Sequence, residues 1–276
     1  MEGEPDVTLI LADSDNERRF TRQRLTGEWL RISVRGLAYG PPSRHSNLRV
    51  LLVADVLRRV VEDLHAGHVQ LAIVGPPAAA EPDDRLRMAL PFAPETFGIR
   101  PSLGVSDCLD PAAELLGRGC DVIVEPSTDA PISTPPHFGQ SDPPLALRVG
   151  EVTAPVRAQG REPLATRLAL LRHRRGEPVS LAPDTLDQAE ETLRKWRSSV
   201  AAWAEHPSAP MHRATLDSAR AALDDNLDVG TVLGLLHQLI ENPAVPPGSK
   251  FETFVFLDRV LALDLARDLG QPLSKG

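Results

Sequence analysis

Basic side chains cluster just before a predicted helix, at Arg44, His45 and Arg49. Apolar residues recur at helical spacing from Leu48 onward, so the basic groups lie near the start of that helix. The peptide N–H groups at a helix start favour phosphate, and a guanidinium group can bind phosphate through two parallel hydrogen bonds. Basic side chains near a helix start are favourable for phosphate, so these three are candidate phosphate contacts if the chain binds one.

Other reactive side chains give weaker signals. Cys108 follows Asp107, but no histidine lies close in sequence to act as the base that would activate its thiol. Cys108 and Cys120 are too few for a disulfide framework, which favours a reducing compartment. The basic run Arg172–Gly176 could contact an anion or RNA phosphates, although a solvent-exposed helix end is the simpler interpretation.

Composition excludes several classes of protein. The chain has 276 residues, 42% of them hydrophobic, and 30 Lys and Arg residues against 38 Asp and Glu residues give a formal charge of −8. Such a composition is typical of a folded globular protein. The acidic balance argues against broad binding to the DNA backbone. No apolar run is long enough to span a membrane, and no basic segment precedes an apolar one at the start, so we expect a cytoplasmic protein.

The first half of the chain predicts a parallel β-sheet. Apolar runs predict strands at Val7–Ala12 and Leu30–Tyr39, a helix from Leu48 to about Gly67, and a buried strand in "HVQLAIVG". A strand, a helix and a second strand in this order form a βαβ unit, which requires parallel pairing. Further along, we expect a short helix at Pro111–Leu116, a strand at Asp121–Val124 and an extended loop over residues 126–145.

The second half predicts a helical bundle. In "TLDQAEETLRKWRSSVAAWAEH" the apolar residues share one helix face, Thr185 and Gln188 fit a capping box, and the two tryptophans fit core anchors. Three later segments show the same periodicity. The predicted fold class is α/β, with a reduced Rossmann-like parallel-sheet domain at residues 1–160 and an α-helical bundle domain at residues 161–276.

Several segments together resemble a known family. The segments "APDTLDQAEETLRKW", "ARAALDDNLDVGTVLGLLHQLIEN" and "KFETFVFLDRVLALDL" resemble the helical region of cysteinyl-tRNA synthetases and of the related mycothiol cysteine ligases. Upstream, "LRVLLVADVLRRVVEDL", with Asp55 and Arg59 in its matching core, is similar to the helix that follows the family's His-x-Gly-His signature. The resemblance is scattered over most of the chain and is most specific between Glu162 and Leu265.

The resemblance implies a class I synthetase site, but its signature motifs are missing here. Counted back from Asp55, the four signature positions hold Arg44, His45, Ser46 and Asn47, and only the neighbouring Arg49 agrees with the family. The second, lysine-rich motif belongs shortly before Arg161, where "SDPPLALRVGEVTAPVRAQG" contains no lysine. The resemblance therefore leaves a weak ligand-binding set in this loop, namely Arg44, His45, Asn47 and Arg49.

The zinc site that the resemblance implies is also incomplete. The family binds zinc through two cysteines, a histidine and a glutamate, and only Cys108 and His137 match these positions. We therefore expect no zinc. The glycine-rich adenine-binding stretch is replaced by "VIVEPSTDAP". We also expect the chain to lack the family's anticodon-binding domain.

Three functions remain open at this point. In the first, the chain is a paralogue that no longer forms an adenylate and binds a small molecule, a tRNA end or a protein partner. In the second, it is an active ATP-dependent ligase of the class I synthetase type with a remodelled site. In the third, it is a scaffold related to the family by descent only.

Overall fold

The computed structural model describes residues 8–13, 16–38, 43–74, 93–106, 116–117, 119–127, 143–153 and 161–270. The described strands are β1 Thr8–Asp13, β2 Asn16–Thr21, β3 Trp29–Val34, β4 His68–Val74, β5 Gly104–Ser106, β6 Val122–Pro126, β7 Leu145–Val149, β8 Val152–Thr153 and β9 Val179–Ser180. The described α-helices are α1 Arg22–Gly27, α2 Arg44–Arg59, α3 Pro163–Leu171, α4 Pro183–Ala204, α5 Arg213–Asp224, α6 Val229–Glu241 and α7 Pro247–Leu261.

A five-stranded parallel sheet forms the centre of the fold, in the order β5-β4-β3-β6-β7. The chain moves outward from β3 to β4 and β5, and then returns to the other side of β3 to form β6 and β7. This reversal places a topological switch point between β3 and β6, the position where open α/β sheets bind ligands beyond the carboxyl ends of their strands. The predicted α/β class and the parallel βαβ unit are confirmed.

One face of the sheet packs against α2 and the helical half of the chain. Ile32, Val34, Val122 and Leu147 are fully buried in a hydrophobic core that also contains Trp196 of α4. This core is continuous between the sheet and the bundle. The domain boundary near residue 160 stays a prediction.

The helix after β3 begins earlier than the sequence indicated. Residues 44–47, which fit a turn because of the preceding "GPPS", already belong to α2, and a π-helical turn at Val60–Leu64 extends this helix. The preceding strand is shorter than predicted, since β3 ends at Val34 and the next four residues form no strand. The candidate phosphate contacts therefore lie on the first turns of a helix.

The bundle confirms the predicted helices but corrects one start. Helix α4 begins at Pro183 with Ala182 as its N-cap, so the capping box predicted at Thr185 and Gln188 is wrong. Proline suits the first helical position because its missing N–H is not needed there. Of the two predicted tryptophan anchors, Trp196 is 2% exposed and packs edge-to-face on Phe254.

Other predictions lie on residues outside the described ranges. These are the helix at Pro111–Leu116 and most of the loop at residues 126–145. Within the described residues, no helix combines the length and the apolar character that crossing a bilayer would require.

Candidate functional site

The signature-equivalent residues lie at the start of α2, which follows the carboxyl end of β3. The neighbouring strand β6 also ends at this edge of the sheet, so the start of α2 is close to the switch point. We call the region between these strand ends and the start of α2 the carboxyl-end crevice. Its possible ligand contacts depend on which side chains are free to face it.

Asn47 is bound to the backbone of the loop after β3. Its amide oxygen accepts a hydrogen bond from the N–H of Ala38 at 3.1 Å, and its amide nitrogen donates to the carbonyl of Ala38 at 2.7 Å. The residue is only 1% exposed. These two bonds fix the path of the chain from β3 into α2, so the side chain acts as a clamp within the protein.

Arg49 is likewise engaged with the backbone. Its guanidinium donates to the carbonyls of Gly150 at 3.0 Å and Arg174 at 2.7 Å, and also to the carbonyl of Glu177. Burial lowers the pKa of Arg49 to about 10, and the carboxylate of Glu177 counteracts this shift. The guanidinium therefore remains charged at neutral pH, and its charge is stabilised by peptide dipoles.

Arg44 and His45 are the two signature-equivalent side chains that find no partner among the residues the structure describes. Both are half-buried, and neither takes part in a hydrogen bond or ion pair within the described part of the chain. Burial lowers the pKa of His45, and the positive charge of Arg44 lowers it further. His45 is therefore a neutral imidazole at physiological pH, and Arg44 is the available cation of the signature-equivalent set.

A row of charged side chains, missed from the sequence, lies across the carboxyl ends of three strands. Arg35 follows β3, Glu125 is on β6, and Arg148 lies beside Glu125 in the register of β7. Arg35 and Glu125 are 5% and 8% exposed. The guanidinium of Arg35 donates to the hydroxyl of Ser33 at 3.2 Å and to the thiol of Cys120 at 3.5 Å.

Burial, more than the neighbouring charges, shifts the pKa values of Glu125 and of the nearby Cys120. Burial raises the pKa of Glu125, while Arg35 and Arg148 counteract the shift. Burial also raises the pKa of the Cys120 thiol, so this cysteine is protonated and unreactive near neutral pH. The alternation of polar and apolar residues in "RISVR" was the signal that could have placed Arg35 on one face of the sheet, whereas Glu125 shares that face through the register of β3 and β6.

The structure offers no support for zinc in the residues it describes. Across those ranges no group of three or more His, Cys, Asp or Glu side chains is arranged to hold a metal ion. Cys108 and His137, the two ligand matches, lie outside the described residues. Our expectation that zinc is absent therefore stays a prediction.

The basic run Arg172–Gly176 is mostly structural. Arg172 donates to the hydroxyl of Thr192 at 2.8 Å, and the side chain of Arg175 is 9% exposed and donates to the carbonyl of Arg148 at 2.6 Å. Arg174 is the exposed arginine of the run. One exposed guanidinium does not make a phosphate-binding surface.

Asp55, in the α2 segment that resembles the family, is the centre of a buried ion-pair network. The carboxylate of Asp55 accepts from Arg59 and from Arg167, each at 2.8 Å, and from the N–H of Arg100 at 2.9 Å. Arg167 is fully buried and also donates to the carbonyl of Leu261 at 2.6 Å. This network joins α2, α3 and the end of α7, so the motif that carries part of the resemblance has a structural role.

Comparison with known proteins confirms the resemblance. No family model matches the chain. Proteins named L-cysteine:1D-myo-inositol 2-amino-2-deoxy-alpha-D-glucopyranoside ligase, the mycothiol cysteine ligases, are similar over part of it. The protein from Micrococcus luteus is 32% identical over 104 residues, which are 35% of this chain and 24% of that protein. Those from Frankia casuarinae and Thermobifida fusca are 37% and 35% identical over 78 and 83 residues, or 28% and 30% of this chain.

The shared region is small relative to these ligases. The matches cover 16% of the Frankia protein and 19% of the Thermobifida protein, so the chain spans less than a quarter of the relatives' length. At this level the chain is similar to a cysteine ligase of the cysteinyl-tRNA synthetase type.

Proposed function

We propose that this chain, which is similar to the mycothiol cysteine ligases, does not form an aminoacyl adenylate and instead binds a small molecule in the carboxyl-end crevice. A tRNA end or a protein partner is the alternative occupant. The observation that carries the proposal is the engagement of Asn47 and Arg49, two of the four candidate ligand contacts, with backbone groups of the protein itself.

Adenylate formation requires that the negative charge developing on the transferred phosphate group be stabilised. Side chains that stabilise it must already be oriented toward that group. Releasing Arg49 for this purpose would leave carbonyls of three loop residues without their donor. The segment before Arg161 adds no lysine that could substitute. The crevice instead presents the buried charges of Arg35 and Glu125, which suit recognition of a small polar molecule.

An active ligase is the second candidate, and it is favoured by the side chains of Arg44 and His45, which make no hydrogen bond or ion pair with the described part of the chain. They lie on the first turn of α2, a 16-residue helix whose N-cap residue, Ser43, makes no capping hydrogen bond through its side chain. ATP, if it binds, would be held by these two residues and by the peptide N–H groups of that turn. Bound there, ATP would supply the activated phosphate for joining a carboxylate to an acceptor.

ATP–pyrophosphate exchange separates the two candidates. We expect no exchange above background when the purified chain is incubated with ATP and cysteine, or with a panel of other amino acids. Exchange that is lost in both Arg44→Ala and His45→Ala would overturn the proposal and support the ligase. The Arg213→Ala variant, which changes an exposed side chain of α5, is the matched control for loss of one arginine.

A further inference from the structure

Glu125 is a buried carboxylate that the fold leaves without a partner. It lies near the carboxyl end of β6 and is 8% exposed. Among the described residues, its side chain takes part in no hydrogen bond and no ion pair. Buried polar groups in folded proteins are normally hydrogen-bonded, because the loss of hydration is otherwise costly. The carboxylate of Glu125 therefore keeps its hydrogen-bonding capacity for a molecule that enters the carboxyl-end crevice.

The two arginines beside Glu125 do not satisfy this carboxylate. Arg148 lies directly opposite Glu125 in the register of β6 and β7, but its guanidinium pairs with Asp13 at 3.5 Å. Arg35, which follows β3, forms no ion pair with Glu125 within the described part of the chain. Burial raises the pKa of Glu125, and the charges of both arginines counteract this shift. The arginines therefore act on Glu125 through their charge, without forming an ion pair with it.

Arg35 has a guanidinium nitrogen that makes no hydrogen bond. Its Nε donates to the hydroxyl of Ser33 and its Nη2 to the thiol of Cys120, and these contacts hold the side chain in place. Nη1 has no partner among the residues that the structure describes. Neither Nη1 nor the carboxylate oxygens of Glu125 belong to the enclosed polar atoms that lack a partner in those residues. A ligand can therefore reach both groups.

The strand register places this donor and this acceptor side by side. Ser33 of β3 lies opposite Ile123 of β6, and the N–H of Arg35 donates to the carbonyl of Val124 at 3.0 Å, which continues the pairing beyond the end of β3. Because side chains alternate between the two faces of a sheet, Arg35 and Glu125 lie on the same face. A donor and an acceptor, on residues that are 5% and 8% exposed, are thus available together.

We propose that the ligand of the carboxyl-end crevice carries a primary carboxamide, whose N–H group donates to Glu125 and whose carbonyl accepts from Arg35. The inference rests on the proposed function and assigns a chemical class to the small molecule of that site. A carboxamide has two N–H donors and a carbonyl acceptor attached to one carbon atom. It therefore satisfies both buried groups at once, and each of these groups rejects a ligand that lacks its partner.

The local charge favours a neutral ligand group. Arg35 and Arg148 carry two positive charges, and Glu125 and Asp13 carry two negative charges, so these four side chains have no net charge. A free amino acid would also pair with Glu125 and Arg35, through its ammonium and carboxylate groups. It would first have to lose the hydration of two further charges, and burying a charge costs more than burying a neutral amide. The carboxamide is therefore the better match.

Binding of benzamide and butyramide to the purified full chain, measured by ligand-observed NMR titration, tests the proposal. Each amide is compared with its N,N-dimethyl derivative, which lacks the N–H donors, and with the corresponding carboxylate, which carries a charge. We expect both primary amides to bind at least about tenfold more tightly than either comparison compound, because each comparison compound leaves Glu125 without a donor. Two unrelated carbon skeletons are used so that the shape of the rest of the ligand does not decide the result.

Matched variants assign the binding to these two side chains. Glu125→Leu removes the acceptor, so the primary amides should bind at least about tenfold more weakly and should lose their advantage over the dimethyl amides. Arg35→Met removes the donor and should weaken the binding of both kinds of amide, since both keep the carbonyl. Glu191→Leu, which changes an exposed carboxylate of α4, is the control and should bind as the unaltered chain does. Circular dichroism of each variant checks that it is folded.

Three outcomes would overturn the proposal. They are no binding of either primary amide at millimolar concentration, stronger binding of glycine or adenosine than of both amides, and an unchanged preference for primary amides in the Glu125→Leu variant. Adenosine is included because its base also has a donor and an acceptor on one edge. ATP–pyrophosphate exchange tests the proposed function separately. Exchange would overturn that function whether or not an amide binds, and a failure of amides to bind without exchange would overturn this inference alone.

Discussion

Two buried arginines, Arg49 and Arg167, are held in different ways. Arg49 donates to backbone carbonyls beside the carboxyl-end crevice, whereas Arg167 pairs with the carboxylate of Asp55 inside the core. Burial lowers the pKa of both guanidinium groups. The carboxylate of Glu177 counteracts the shift at Arg49, and the carboxylate of Asp55, which also accepts a hydrogen bond from Arg167, counteracts it there. Removing Arg49 would leave neutral carbonyl acceptors, whereas removing Arg167 would leave the buried carboxylate of Asp55 with Arg59 as its remaining guanidinium partner among the described residues. The cost of each loss should differ accordingly.

The largest effect is expected for Arg167→Met. This change leaves Asp55 buried with one guanidinium fewer, and breaking a buried ion pair by removing one partner costs about 3–5 kcal/mol. Urea denaturation should show a loss of this size in the free energy of unfolding. Arg213→Met, at an exposed pair, is the control and should cost well under about 1 kcal/mol. A loss at Arg167 no larger than that of the control would contradict the comparison.

Arg49→Met should have a smaller but clear effect. It removes charge-assisted hydrogen bonds to carbonyls at the edge of the crevice, and we expect a loss of about 2–3 kcal/mol in the free energy of unfolding. Arg49→Lys should recover part of the loss, because an ammonium group can reach fewer of the carbonyls. If Arg49→Met left stability unchanged, the guanidinium would be free for another role, and the proposed function would lose its main support.

Asn47→Ala should cost about 1–2 kcal/mol, because two hydrogen bonds to Ala38 are lost and its peptide groups are left without these partners. Thermal unfolding measures this loss. The matched control is Asn242→Ala at the C-terminal end of α6, where the side chain makes one exposed hydrogen bond. An equal loss in both variants would argue against a clamp at the start of α2.

The smallest expected effect is a change in pH dependence at Glu125. Burial raises the pKa of this carboxyl in the folded chain above its ordinary value of 4.5, against the charges of Arg35 and Arg148 and together with that of Asp13. Between the ordinary and the raised value the folded chain holds more protons than the unfolded chain, so stability falls as pH rises through this window. Glu125→Gln should remove this contribution, which urea midpoints from about pH 4 to about pH 7 would reveal. An unchanged slope would show that other carboxyls dominate.

The sequence was informative where periodicity decides the structure. Leu186, Ala189, Leu193 and Trp196 recur at helical spacing, and all four are buried in α4. The parallel pairing of β3 and β4 followed from one βαβ pattern. Such elements form because apolar residues are buried on one face, and the periodicity of apolar residues is visible directly in the sequence.

The site was harder to predict from the sequence, because the partners of long side chains depend on tertiary contacts. Arg49 reaches carbonyls 101 to 128 residues away, and no local pattern indicates that distance. Arg44 and Arg49 were equivalent as basic residues, yet among the described residues Arg44 makes no hydrogen bond or ion pair, whereas Arg49 donates to three backbone carbonyls. Glu125 was hidden within an apolar run, where its burial depends on the strands on both sides.

Arg49 also joins two loops that are distant in sequence, because it donates to the carbonyl of Gly150 in one loop and to those of Arg174 and Glu177 in the other. Gly150 donates its N–H to the carbonyl of Arg175 at 2.8 Å, and a Cβ atom at this glycine would lie 2.2 Å from the carbonyl oxygen of Glu177. Only a residue without a side chain permits such an approach. The guanidinium of Arg49 and the close backbone contact at Gly150 join the same two loops. Separating the loops must therefore break both contacts at once. Amide hydrogen exchange at Gly150 and Val179, whose N–H groups donate to the carbonyls of Arg175 and Glu151, should therefore proceed as one cooperative opening.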